Sequence, residues 1–140
     1  MRSLTVWRPG AWRCMAGNQI NDPCFSNTDE DTSVICVRDP TGDGRGVKMN
    51  LTKPLPARER LPQGQHAWVL ELADGAKCGF LQGATGGIGG KRLNYDCSGG
   101  WYVLGDPETG QLWRAEKVRL AAGRMEAEES VQVEIRTVWL

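Results

Sequence analysis

The chain is patterned in short steps of two. Over 46–52, apolar Val47, Met49 and Leu51 alternate with Lys48, Asn50 and Thr52, the period of a strand with one buried face. Val131, Val133 and Ile135 alternate in the same way with Gln132, Glu134 and Arg136 in the closing segment 130–140. Brief β-branched or apolar runs at 4–8, 33–38, 67–72, 77–82, 92–97, 100–104 and 111–120 read as further strands. Turn chemistry separates them: Pro9-Gly10, Asp39-Pro40-Thr41-Gly42-Asp43-Gly44, Asp74-Gly75, and the run from Gly105 to Gly110. Residues 12–20 carry no clear period, and Gly17-Asn18 argues against a helix there; 21–25 reads as a turn and 57–61 as one helical turn. The one long helix competitor is 115–129, rich in Ala, Glu, Lys, Arg and Leu but broken by Gly123; the expectation is strand to about residue 120, then a loop or single helical turn. The pattern predicts a single all-β domain over 1–140, a compact sandwich or barrel of seven or eight short strands with little helix.

Composition narrows this further. With 17 basic and 17 acidic residues, the formal net charge is zero, so no global field favours nucleic acid or an anionic membrane. No apolar run approaches the roughly 20 residues of a membrane span. Met1-Arg2-Ser3-Leu4 leads straight into Trp7, Pro9 and Gly10 without a signal-peptide pattern; a secreted chain is therefore expected here as a mature form or excised domain. Five cysteines accompany a single histidine, His66, and no pair has the C-x-x-C spacing of a metal or redox site. Disulfides are the better reading, Cys24–Cys36 and Cys78–Cys97, each closing a local loop worth on the order of 2–3 kcal/mol. Cys14 is left over, to be buried, to pair with Cys24 or Cys36 instead, or to bridge to another chain.

Gly83-Ala84-Thr85-Gly86-Gly87-Ile88-Gly89 looks like the phosphate loop of a short-chain dehydrogenase. That fingerprint needs a helix after the glycines. Here Lys91 to Gly100 has no helical period, and neither Tyr95 nor Tyr102 has a lysine four residues on. The glycines are expected to turn the chain sharply between two strands, with no nucleotide and no other cofactor.

Candidate chemistry is sparse. A nucleophile–histidine–carboxylate site would have to use His66, and nothing near it reads as a nucleophile elbow; no catalytic residue and no metal ligand is assigned. Asp29-Glu30-Asp31 and Asp39 with Asp43 could gather around calcium, but they lack the spacing of an EF-hand loop and read as solvated turns. Asn50-Leu51-Thr52 is a formal glycosylation sequon within a predicted strand. Of the six tryptophans, Trp68, Trp113 and Trp139 fall in strand patterns and read as core. Trp12, beside Arg8 and Arg13, and the pair Trp101-Tyr102, after Ser98-Gly99-Gly100, are the candidates for an exposed stacking platform.

Arg13-Cys14, Asp22-Pro23-Cys24-Phe25, Val34-Ile35-Cys36, Lys53-Pro54-Leu55-Pro56, Cys78-Gly79-Phe80-Leu81, Gly83-Ala84-Thr85 and Asn94-Tyr95-Asp96-Cys97 occur in this order. Together they resemble a secreted or cell-envelope, cysteine-containing β domain of actinobacteria, found alone or tethered to membrane proteins; the likeness covers about 11–139. It implies an extracellular or cell-envelope location with paired cysteines, and carries no motif tied to a reaction. The expected function is a non-catalytic binding or sensor module recognising a cell-wall glycan, a peptide or another envelope protein. Segments 83–90, 98–106 and 12–25 would present Trp12, Arg92, Trp101 and Tyr102. The alternatives are a small envelope hydrolase using His66 or the acids Asp96 and Asp106, and a structural or inhibitor-like domain that inserts its glycine-rich loop into a partner.

Overall fold

The computed structural model describes residues 1–6, 8–42, 45–56 and 66–140. The helical turn expected at 57–61 lies outside the described residues. The chain is all-β, and it divides into two compact units, Met1–His66 with Leu140 and Ala67–Trp139.

The first unit is a four-stranded antiparallel meander of β1 (Ala11–Ala16), β2 (Gln19–Ser26), β3 (Ser33–Cys36) and β4 (Val47–Asn50), in that order. The ambiguous stretch 12–20 is a hairpin. Gly17, at φ +60°, opens its two-residue turn, the place where a two-residue loop needs a glycine. The turn expected at 21–25 is strand instead. Pro23 lies inside β2 because the β1–β2 register shifts between Trp12 and Cys14, and an irregular step spares proline the ladder bond it cannot donate. Among the described residues of 4–8, the expected strand does not form; there Ser3 and Asp22 organise the chain. The Ser3 hydroxyl donates to the Asp22 carboxylate and accepts the N–H groups of Thr5 and Val6 at 3.1 and 2.9 Å, and Leu4 N–H donates to Asp22 at 2.9 Å. Trp12, Cys24, Val34 and Cys36 form the buried cluster, with Met49, Leu51 and Leu55 packed against it.

The second unit contains a closed six-stranded barrel. Its strands are β5 (Val69–Leu72), β6 (Lys77–Phe80), β8 (Lys91–Cys97), β9 (Trp101–Glu108), β10 (Arg114–Leu120) and β11 (Ala127–Trp139). They run β6-β5-β11-β10-β9-β8, and a β6–β8 pairing closes the ring, so the barrel has no continuous open edge. Every barrel strand sends side chains inward. Leu70, Leu72, Cys78, Tyr95, Cys97, Val103 and Ala115 are buried together, with Phe80, Trp101, Val133, Ile135 and Val138 against them. Burial pushes the Tyr95 phenol well above its ordinary range; its hydroxyl stays neutral and donates to the Ala67 carbonyl at 2.9 Å. Of the loop or single helical turn expected after residue 120, the loop forms, a short reverse turn, and β11 begins at Ala127, because β10 and β11 pair from Arg114↔Glu134 to Leu120↔Ala127. Pairing between strands outweighs the helix propensity of 115–129. The hairpin expected over 105–110 opens later, since β9 runs on to Glu108 with Pro107 in a second irregular step opposite Ala115.

Two disulfides join the expected partners, Cys24–Cys36 and Cys78–Cys97. Each pair sits directly opposite in register on neighbouring strands, β2–β3 and β6–β8. Cys14 is free and half-buried, and burial raises its thiol pKa.

Candidate functional site

The four side chains singled out from the sequence do not form one surface. Trp12 is a correction: at 6% exposure it belongs to the core of the first unit, its indole N–H bonded to Ser26 Oγ at 2.7 Å. The other three belong to the second unit. Trp101 and Tyr102 are consecutive on β9 and point to opposite faces, Trp101 to the barrel interior cluster and Tyr102 to an outer cluster with Leu93, Leu104 and Val118. Nor is Trp101 a bare platform, since the Lys117 ammonium and the Arg119 guanidinium lie 4.4 and 4.7 Å from its ring centroid. Asp74 pairs with Lys117, and Glu129 lies 3.7 Å from Arg119.

Arg92 is a clamp. Its guanidinium donates to the carbonyls of Leu81 and Gly83 at 2.6 and 2.8 Å and to Asn94 Oδ1 at 2.9 Å, and lies over Phe80. This pins the glycine-rich segment against the barrel. Thr85 Oγ donates to the Leu93 carbonyl at 2.8 Å, and Gly87–Ile88 (β7) turns through Gly89 and Gly90 into β8. The segment after the glycines is therefore a strand, not the helix of a nucleotide fold. Ile88 covers the outer cluster, and Met125 fills the space where a Gly86 side chain would stand.

The other candidates are dispersed. His66 Nε2 lies 3.1 Å from the Thr5 carbonyl. Asp106 accepts from Asn94 Nδ2 at 2.9 Å, and Asp96 is exposed. Glu30 is held by Lys48, which lowers its pKa, and Asp39 Oδ1 accepts from Thr41 N–H and Oγ at 2.8 and 2.6 Å. Asp43 lies outside the described residues. Among the described residues, no group of three or more His, Cys, Asp or Glu converges to hold a metal ion.

A ligand-sized concavity lies elsewhere, in the first unit. The tip of the β1–β2 hairpin overhangs, because the β2–β3 ladder runs only from Cys24 to Ser26, with one further bond from Val37 N–H to the Pro23 carbonyl. Between that overhang and the described residues 36–42 and 45–49 lies an open groove of about 600 Å³. Gln19 and Asn21 line one wall, Arg38, Asp39 and Arg45 the other, and Cys36, Val47 and Met49 an apolar floor. Val47 is 67% exposed. An apolar floor with a few convergent polar groups is the chemistry of a recognition site. The sequence signal that could have found it is the Gly17-Asn18 turn, which implies a hairpin whose strands outrun their neighbour. A smaller cavity of about 260 Å³ lies by Arg13, Cys14 and Leu51–Pro56.

Comparison with protein-family models, with curated proteins and with solved structures returns no match, so the geometry alone carries the functional reading.

Proposed function

We propose that the chain is a non-catalytic binding module of the extracellular space or cell envelope, which holds part of a cell-wall glycan, peptide or protein partner in the groove of its first unit. The observation that carries this reading is the groove itself: ligand-sized, floored by apolar side chains and rimmed by amides, two guanidinium groups and the Asp39 carboxylate. The compartment is supported by the two disulfides, since such bonds persist in oxidising surroundings. Among the described residues no helix is long and apolar enough to cross a membrane. The test is retention on insoluble peptidoglycan and on immobilised envelope proteins, with Val47→Arg as the groove-filling variant. We expect the wild type to be retained and the variant, equally folded by circular dichroism, to wash through. A wild type retained on none of these, or a variant retained equally well, removes the groove from the account.

A further inference from the structure

The groove is bordered by an unfinished piece of sheet, and we propose that it takes an extended, carboxylate-bearing peptide as an added strand along β2. This rests on the binding reading above and names its ligand. Along the β1–β2 hairpin, Ala16 faces Gln19, Met15 faces Ile20 and Cys14 faces Asn21. In a two-residue hairpin the closing pair exchanges its hydrogen bonds, and the alternation then turns the N–H and C=O of Ile20 away from β1. On that side the chain beyond β3 reaches as far as Pro23, whose carbonyl accepts Val37 N–H at 3.1 Å, and among the described residues no strand pairs with residues 19–22. Gln19 and Asn21, on either side of Ile20, line the groove.

The opposite wall carries two guanidinium groups, Arg38 and Arg45, and one carboxylate, Asp39. Arg38 is exposed, and among the described residues its guanidinium has no ion pair or hydrogen bond. A strand laid beside β2 gives the Ile20 backbone a partner, and its alternate side chains face Val47 and Met49. A carboxylate on that strand meets Arg38 in a charge-assisted hydrogen bond. An oligosaccharide has no regular row of backbone donors and acceptors to match the edge, and this favours peptide over glycan.

The experiment immobilises the whole chain and presents a randomised library of acetylated hexapeptides. One half carries free C-terminal carboxylates and the other C-terminal amides, each made with and without Asp and Glu. We expect retention of carboxylate-bearing peptides; the half in which they appear tells a chain end from a side chain. Arg38→Gln weakens them about tenfold and erases their advantage over peptides without carboxylates. Ile20→Pro removes the groove-side N–H and no bond of the β1–β2 ladder, and abolishes retention. Peptides N-methylated at alternate amides fail in the same way, which keeps the edge testable should Ile20→Pro not fold. Peptide binding untouched by Arg38→Gln and by N-methylation overturns the proposal. Retention of β-1,4-linked N-acetylglucosamine oligomers without any peptide overturns it while leaving the binding reading intact; retention of neither class nor any envelope partner ends both. A concentration-dependent dimer abolished by Ile20→Pro assigns the edge to a second copy and equally overturns it.

Discussion

Single side chains hold the second unit's loops in place, and their chemistry sets how it responds to pH. Lys117 donates to Asp74 across the barrel end and holds that carboxyl below its ordinary pKa. A group that is more acidic when folded binds fewer protons in the folded state. The pair therefore stabilises fully above the unfolded carboxyl pKa of about 3.9 and loses its effect as pH falls through the lower folded value. With the Asp74 side chain 37% exposed, solvent screening keeps the pair to no more than about 1 kcal/mol. Asp74→Asn should lower the thermal midpoint by a few degrees at pH 7 and by progressively less as the pH falls below about 3.9, read by circular dichroism. A gap that persists in acid would mean the asparagine acts by some other route. Side-chain placement is also where the sequence says least. Trp12 and Trp101 both follow closely on glycine, Gly10 and Gly99-Gly100, and look alike on paper whether the indole is sealed in a core or flanked by cations. Only the partners brought from distant strands, Ser26 for one and Lys117 and Arg119 for the other, tell them apart.

At the scale of an element, the glycine-rich hairpin shows several uses of one residue type. Gly89 and Gly90, at φ +58° and +79°, make the two-residue turn between β7 and β8. Gly87 is needed for space, since a Cβ there would stand 2.9 Å from the Lys91 carbonyl oxygen. Gly87→Val should therefore destabilise the fold by about 1–3 kcal/mol in urea, while Ala84→Ser, at an exposed position of the same segment, changes it little. Equal stability of the two variants would show that the backbone at Lys91 can give way. That these glycines turn one strand into the next was legible, because nothing after them supports a helix. The all-β class was legible as well, from period-two runs between turn signals. Element boundaries were not. Asp22-Pro23 and Pro107 carry turn chemistry yet lie within strands, where a shift of register accommodates a residue that cannot donate. The helix-forming run at 115–129 yields to strand pairing that involves residues far along the chain.

For the molecule as a whole, the division at His66–Ala67 does show in composition, since six of the seven prolines precede it and twelve of the eighteen glycines follow it, while each side has its own short strands and cysteine pair. The pairing of those cysteines was readable because partners on neighbouring strands of a local fold lie close in sequence, 12 and 19 residues apart. By loop-closure entropy each bond adds about 3 kcal/mol. Cys78–Cys97 has a second role, because it spans the β6–β8 seam where the barrel ring is joined. A protease that severs the peptide backbone between Gly83 and Gly90 would accordingly release nothing. The two fragments should run as one band on a denaturing gel and separate only after dithiothreitol. Fragments that part without a reductant would show the seam to be held by hydrogen bonds alone. The protein would thus keep its mass through a cut that dismantles an unbridged barrel, a form of durability suited to surroundings rich in peptidases.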